Sequence, residues 1–183
     1  MNISEILFGI SLASGSIIFL LCLLGHILNS FQFWPPPNKE SWQMKFFWIL
    51  FSLFSLPFFV LIALDFDQRN TNDSLFIVGT ILSLSGLILA NAVSYNLGFK
   101  NTSGQVDQLR TSGWYAFSRN PVYVFTILAL VGVIFAVPTF HIVVISSFWI
   151  FIYILAPFIE EPWLEDRYGR EFLDYERRVR RFF

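Results

Sequence analysis

Residues 124–159 read VFTILALVGVIFAVPTFHIVVISSFWIFIYILAPFI, and this stretch decides the fold. Its 36 residues contain no Lys, Arg, Asp or Glu. Pro138 and Thr139 interrupt it. The apolar residues before this interruption number 16 when Val122 and Tyr123 are included (122–137), and 20 follow it (140–159). A membrane-spanning helix needs about 20 apolar residues. The stretch therefore predicts two antiparallel transmembrane helices joined by a two-residue turn, and the first is short enough to need packed neighbours or a thinner bilayer.

The composition of the whole chain agrees with a membrane protein. Of its 183 residues, 55% are hydrophobic and 14% are charged, whereas a soluble domain carries about 25% charged residues. We therefore predict one membrane domain, residues 1–183. Cys22 is the only cysteine, so an intrachain disulfide is excluded. No metal site is predicted, because His26 and His141 fall near opposite membrane faces, and the basic residues look like membrane anchors, not a nucleic-acid surface.

Five apolar stretches are predicted to cross the membrane, which gives an all-α, polytopic fold. The three stretches that precede the hairpin have 22, 19 and 25 residues, enough for a span in each case. The first lacks a basic n-region and a cleavage site, so it reads as a retained helix. The predicted spans are 6–27, 46–64, 75–99, 122–137 and 140–159, and a cytoplasmic amphipathic tail follows at 160–183.

The basic residues favour this count and set its orientation. With five spans, 11 of the 12 Lys and Arg residues fall on one side, in loop 28–45, loop 100–121 and the tail, and only Arg69 falls on the other. Positively charged loops stay in the cytoplasm. The C-terminus is therefore predicted to be cytoplasmic and the N-terminus outside, in a bacterial inner membrane or an ER-type membrane.

Two polar strings flank the hairpin. The first polar string is GWYAFSRNPVY, residues 113–123, and the second is EEPWL, residues 160–164. A short hairpin brings both to one membrane depth, where they form a cluster of cationic, amide and carboxylate groups beside aromatic rings. A simpler interpretation makes Arg119 a membrane anchor, Asn120 an N-cap and Pro121 part of the first helical turn.

The adjacent glutamates of the second string are expected to do different jobs, because consecutive helix positions point about 100° apart. Burying either carboxylate unpaired is costly. One of Glu160 and Glu161 could hold an ammonium group or Arg119, and the other could face water or cap the tail helix. The alternative is an ordinary interfacial acidic pair that ends a span.

The tail carries an apolar stripe at helical spacing, with steps of 4, 4, 3, 4 and 3 residues. Its members are Leu164, Tyr168, Phe172, Tyr175, Val179 and Phe182. Pro162 suits the first turn of such a helix, and Gly169 is expected to weaken or break it. The helix could lie on anionic lipid or cover a cytoplasmic pocket, and the two roles are compatible.

Several short motifs in the second half of the chain are specific only in combination. They comprise Leu109, Thr111, Gly113, Tyr115, Ser118, Arg119, Asn120, Pro121, Tyr123, Glu160, Glu161, Leu164, Tyr168, Gly169, Tyr175, Val179, Arg180, Arg181 and Phe182. This combination, over roughly residues 95–183, resembles the integral-membrane methyltransferases, which include isoprenylcysteine carboxyl methyltransferases and phospholipid N-methyltransferases. Two departures are Val124-Phe125, near where the family often has glycine, and Arg180, where it often has proline.

The resemblance implies an enzyme that uses S-adenosylmethionine, bound on the cytoplasmic side between the last hairpin and the tail. The residues that it places in the cofactor pocket are Tyr115, Arg119, Asn120, Pro121, Tyr123, Glu160, Glu161 and Leu164. A glutamate suits the ammonium group of the donor, Arg119 suits its carboxylate, and aromatic rings suit its adenine and sulfonium. Methyl transfer needs mainly alignment and exclusion of water, so no catalytic side chain is assigned.

The methyl acceptor stays open at this stage, as does the oligomeric state. A prenylcysteine carboxylate, a lipid amine and a small thiol are each compatible with a lipophilic substrate that enters between helices from the membrane. Two other functions compete. One is a non-enzymatic membrane binding or assembly protein with the same fold. The other is a membrane reductase of the sterol-reductase type, for which the chain is short and has no evident nicotinamide-binding string.

Overall fold

The computed structural model describes residues 2–28, 31–66, 73–98 and 108–183, and within these ranges the fold is all-α, as predicted. Arg69 and Lys100, which entered the charge count, and Phe99, the predicted end of the third span, lie outside the described residues. The helices are α1 (Ile3–Ile27), α2 (Trp42–Phe66), α3 (Ser74–Leu97), a 3₁₀ helix (Gly113–Ala116), α4 (Pro121–Ala136), α5 (Phe140–Tyr168) and α6 (Arg170–Arg178).

Four of the described helices, α1, α2, α3 and α5, are long and apolar enough to cross a membrane. They contain 24 to 29 residues, or about 36–44 Å at 1.5 Å per residue, against a hydrocarbon core of about 30 Å. Helix α4 is shorter, with 16 residues, or about 24 Å. The chain is therefore an integral membrane protein with four long apolar helices and one shorter one.

Helices α4 and α5 form the tight hairpin that Pro138 and Thr139 predicted, with only residues 137–139 between them. The Thr139 hydroxyl donates a 2.6 Å hydrogen bond to Asp65 near the end of α2. This bond ties the turn of the hairpin to the neighbouring helix α2.

Glycines let α3 and α4 pack backbone to backbone. A Cβ atom added to Gly132 of α4 would lie 2.3 Å from the backbone nitrogen of Ser83. On α3, a Cβ at Gly79 or Gly86 would lie 2.4 or 2.5 Å from backbone nitrogens of α4. Small residues permit such close approach between membrane helices, where van der Waals contact drives association. The short α4 thus gains the packed neighbour that its length requires.

The end of α5 differs from the sequence prediction. The predicted span ended at residue 159 and a new helix was expected to begin at Pro162, but α5 continues through that proline to Tyr168. It stops at Gly169, whose φ of +54° favours glycine. The first two members of the predicted stripe therefore lie on α5, the next two on α6 and the last two beyond the end of α6, and residues 170–183 form a separate C-terminal segment.

The largest buried apolar cluster lies towards the end of the bundle near the α4–α5 turn. There Phe58 and Leu61 of α2 are buried with Ile142 and Ile145 of α5. Helices α1 and α2 pack on each other and on α5, whereas α3 packs on α4. The opposite end of the bundle, where α4 begins, has two smaller buried apolar clusters and the polar pocket described next.

Candidate functional site

The two polar strings meet in one pocket, the polar pocket, at the end of the bundle where α4 begins. Its volume is about 210 Å³. Seven of the eight predicted site residues line it: Tyr115, Arg119, Asn120, Tyr123, Glu160, Glu161 and Leu164. The eighth, Pro121, is the fully buried first residue of α4 and is not among the lining residues. The structure thus brings the predicted residues together, and their contact with a cofactor stays a prediction.

Glu160 accepts two hydrogen bonds on one carboxylate oxygen. Trp34 Nε1 donates to Oε1 at 2.7 Å, and the Tyr123 hydroxyl donates to the same atom at 2.6 Å. Among the described residues, Glu160 has no ion-pair partner, and its Oε2 accepts no hydrogen bond. One oxygen of this carboxylate is therefore held in place while the other is available.

Glu161 is buried, with 7% of its surface exposed, and two arginines neutralise it. Its Oε1 accepts from Nε and Nη2 of Arg119 at 3.0 and 2.8 Å, and its Oε2 accepts from Nε of Arg181 at 2.9 Å. A buried carboxylate needs such partners to offset its desolvation. The adjacent glutamates therefore do different jobs, as their angular separation predicted, and Glu161 has the structural one.

Arg119 uses all five N–H donors of its guanidinium inside the protein. Beyond its two bonds to Glu161, Nη1 donates to the carbonyl oxygens of Glu176 and Val179 at 3.1 and 2.9 Å. Its Nη2 also donates to Oε1 of Glu176 at 3.1 Å. The interpretation of Arg119 as the partner of a ligand carboxylate does not fit this arrangement, because a guanidinium has five donors and all are engaged. Arg119 instead joins the first polar string to the C-terminal segment.

Asn120 does not cap α4 with its side chain, contrary to the sequence interpretation. It occupies the N-cap position, and Pro121 takes the first helical position as predicted, but no side-chain capping bond forms. Its Nδ2 donates instead to the Arg181 carbonyl oxygen at 3.0 Å. The Ser118 hydroxyl donates to the same oxygen at 3.3 Å. The Asn120 amide thus binds the C-terminal segment and does not bind α4, the helix that follows Asn120 in the chain.

The C-terminal segment packs over the polar pocket through its apolar face. Phe172 and Tyr175 are 2% and 3% exposed, and both line the pocket. The Tyr175 hydroxyl donates to the Tyr115 carbonyl oxygen at 2.7 Å. Burial raises the pKa of Tyr175 to about 12, so the hydroxyl keeps this proton at neutral pH. The contacts indicate a cover over the pocket, one of the two roles that the stripe suggested.

Some lining residues escaped sequence reasoning because they come from outside the two strings. Trp34 reaches Glu160 across 126 residues of chain. Its only local signal is the run of three prolines that follows it, which indicates a rigid turn. Arg110 also lines the polar pocket, although its place in a predicted cytoplasmic loop indicated only a membrane anchor.

A second space, the apolar cavity, adjoins the polar pocket inside the bundle. Its volume is about 500 Å³, and helices α1 to α5 all contribute to its wall. Trp34, Val122, Tyr123 and Glu160 line both spaces. Among the described residues that line the apolar cavity, Glu160 is the single charged one. Its carboxylate thus lies at the junction of a polar and an apolar space.

The part of the chain that contains both strings matches a known protein family. A model described as phospholipid methyltransferase matches residues 74–171, more than half of the 183 residues. The chain belongs to the phospholipid methyltransferase family. The match to the phospholipid methyltransferases runs from the start of α3 into α6 and includes every predicted site residue. No curated protein and no solved structure gives a match.

Phospholipid methyltransferases are membrane enzymes that use S-adenosylmethionine as the methyl donor. The predicted enzyme class and donor are thereby confirmed, and the reductase and non-enzymatic alternatives are not. The polar pocket suits this donor, which carries a cationic sulfonium and ammonium and an anionic carboxylate. Glu160 offers a carboxylate without a cationic partner, and Arg110 offers a guanidinium whose buried Nε has no hydrogen bond in the described structure.

Proposed function

We propose that the protein methylates the amine of a membrane lipid, with S-adenosylmethionine in the polar pocket and the lipid in the apolar cavity. The observation that carries the proposal is the position of Glu160. Its side chain lines both spaces, and it is the one charged residue described in the wall of the apolar cavity. A reaction that moves a methyl group from a cationic sulfur to a lipid nitrogen needs such a group where donor and acceptor meet.

The polar pocket supplies the groups for the donor. We assign direct donor contact to five of the predicted residues: Tyr115, Asn120, Tyr123, Glu160 and Leu164. The other three predicted residues shape the pocket without touching the donor. Arg119 and Glu161 form a buried ion pair in its wall, and Pro121 begins α4. The donor supplies an electrophilic methyl group on a positively charged sulfur. Aromatic rings and a carboxylate stabilise that charge, and the C-terminal segment excludes water.

The charge at the junction favours an amine among the three acceptor classes. A prenylcysteine carboxylate would meet the like charge of Glu160, and the described wall of the apolar cavity contains no Lys, Arg or His to pair with it. Burying an unpaired carboxylate costs several kcal/mol, on the order of the penalty for any desolvated ion. A lipid ammonium would instead gain a counter-charge. A small thiol has no long apolar chain and would not fill an apolar cavity of about 500 Å³.

Glu160 also has the free oxygen that amine methylation requires. The primary amine of a lysine side chain has a pKa of about 10.4 in model peptides, and a protonated amine has no lone pair. Oε2 accepts the amine proton while Trp34 and Tyr123 hold Oε1. The nitrogen lone pair then bonds to the methyl carbon, and the carbon–sulfur bond breaks with its electrons on sulfur. The positive charge passes to nitrogen beside Glu160, and one proton is finally released to solvent.

Methyl transfer in lipid nanodiscs tests the acceptor class. Full-length protein would receive methyl-labelled S-adenosylmethionine and a glycerophospholipid with a primary-amine headgroup, its N-acetylated form, or a prenylcysteine with a free carboxylate. We expect label in the amine lipid alone, because only that acceptor offers Glu160 a proton and a counter-charge. Label in the prenylcysteine, or in none of the three with a folded protein, would contradict the proposal.

We further propose that residues 1–183 form one membrane domain with five spans, an outside N-terminus and a cytoplasmic C-terminus. The 10 described Lys and Arg residues all belong to segments at the end that holds the polar pocket, as positive loops in the cytoplasm require. Helix α4 is short, but α3 packs along it. Protease treatment of sealed vesicles should remove a C-terminal tag only from inside-out vesicles. Removal from right-side-out vesicles would refute this orientation.

A further inference from the structure

Arg110 is a cation without a partner in the described structure. Its buried Nε–H donates to no hydrogen-bond acceptor there, and its guanidinium forms none of the ion pairs of the described residues. Leaving a buried donor unsatisfied costs about 1–3 kcal/mol. Arg119, only nine positions later, has every donor engaged. The contrast indicates that Arg110 has a ligand as its partner.

The position of Arg110 is that of a ligand-binding residue. It precedes the 3₁₀ helix and lines the polar pocket together with Tyr115, Asn120 and Glu160. The described lining of this pocket contains two cations, Arg110 and Arg119. All N–H donors of Arg119 are engaged by Glu161 and the C-terminal segment. Arg110 is therefore the cation in the described lining whose N–H donors are available to a ligand.

We propose that Arg110 binds the α-carboxylate of S-adenosylmethionine, an inference that rests on the proposed function of the polar pocket. A guanidinium presents two parallel N–H groups that match the two oxygens of a carboxylate. The carboxylate of the donor is its one anionic group and needs such a partner inside a covered pocket. The role that sequence reasoning gave to Arg119 thereby moves to Arg110, and Arg119 keeps the C-terminal segment in place.

A lipid phosphate is the other oxyanion that this guanidinium could bind. Arg110 also lines a neighbouring cavity of about 510 Å³ with Asn96 and Trp114. It does not line the apolar cavity, where the acyl chains of the acceptor are proposed to lie. The polar pocket therefore favours the donor carboxylate, and the experiment separates the two sources.

Calorimetry on the purified full-length protein in nanodiscs tests the assignment with two ligands. S-adenosylhomocysteine keeps the carboxylate, and its decarboxylated analogue lacks it. We expect Arg110→Ala to weaken S-adenosylhomocysteine about 10- to 100-fold, as for the loss of a charged hydrogen bond, and to leave the affinity for the analogue unchanged. Unchanged binding of the analogue also shows that the variant is folded. Arg170→Ala, which alters an exposed arginine at the start of α6, serves as the matched control and should change neither affinity.

Each other outcome has a definite meaning. Equal weakening of both ligands by Arg110→Ala would overturn the carboxylate contact, and so would full affinity for S-adenosylhomocysteine. Full affinity together with a raised KM for the lipid would assign Arg110 to the lipid phosphate instead. Failure of the unaltered protein to bind S-adenosylhomocysteine would overturn the proposed function itself. A result that concerns only the Arg110 variant would overturn the Arg110 assignment and leave the proposed function standing.

Discussion

Glu160→Gln should lower kcat for lipid methylation by about 100- to 10,000-fold at neutral pH, the usual contribution of a positioned acid or base. The amide oxygen can still accept from Trp34 and Tyr123, which donate to Glu160 at 2.7 and 2.6 Å, so the fold should persist. The amide cannot take a proton from an ammonium. Initial rates in nanodiscs, with calorimetry of S-adenosylhomocysteine as a binding check, measure the effect.

The pH dependence separates this role from a purely structural one. Without a base, the reaction depends on acceptor that is already deprotonated, so the rate of Glu160→Gln should rise as the pH approaches the amine pKa of about 10. Glu165→Gln alters an exposed glutamate on the same helix and should keep the original rate. A defect of equal size at pH 7 and pH 9.5 would argue against proton transfer to Glu160, as would an undiminished rate.

Arg119→Ala should release the C-terminal segment from the polar pocket. The substitution removes three hydrogen bonds to Glu176 and Val179 and one of the two cations on buried Glu161. Removing one partner of a buried ion pair costs about 3–5 kcal/mol. Phe172 and Tyr175, both buried in the native state, would become accessible to chymotrypsin. We expect cleavage of this segment to accelerate about 100-fold. The protease cuts the segment only when it has detached from the pocket, and the loss of the ion pair raises the population of the detached form.

The surface ion pair of the same segment offers the matched control. Arg177 lies 3.8 Å from Asp174, and their side chains are 79% and 68% exposed. Such pairs contribute about 0–1 kcal/mol, so Arg177→Ala should leave cleavage near its original rate. A cleavage rate in Arg119→Ala equal to that of this control would mean that the arginine does not hold the cover, and the apolar contacts of Phe172 and Tyr175 suffice.

The sequence was most informative where a pattern has a direct physical counterpart. An uncharged stretch interrupted by Pro138-Thr139 predicts a hairpin, because a membrane helix must be apolar and a short turn must bring its neighbours together. That hairpin in turn predicts that residues 119–123 and 160–164 lie side by side. Family motifs in the same residues pointed to a methyl donor, which the family match supports.

Local patterns were weaker where an outcome depends on distant partners. Pro162 looked like the start of a helix, yet α5 runs through it, and the buried Glu161 beside it is neutralised by Arg119 and Arg181, which are distant in the sequence. Arg119 looked like a ligand for a carboxylate, but its five donors face groups 42 to 60 residues away in the chain. No periodicity reports such contacts.

By itself, the sequence determined the membrane class, the α4–α5 hairpin, the meeting of the two polar strings and the family, because hydropathy, charge and motif are local properties of the chain. The tertiary structure alone decided the division of labour within the Glu160-Glu161 pair. Both residues have the same chemistry and adjacent positions. Only the folded chain shows that Trp34 and Tyr123 hold one carboxylate at the junction of two cavities, while Arg119 and Arg181 bury and neutralise the other.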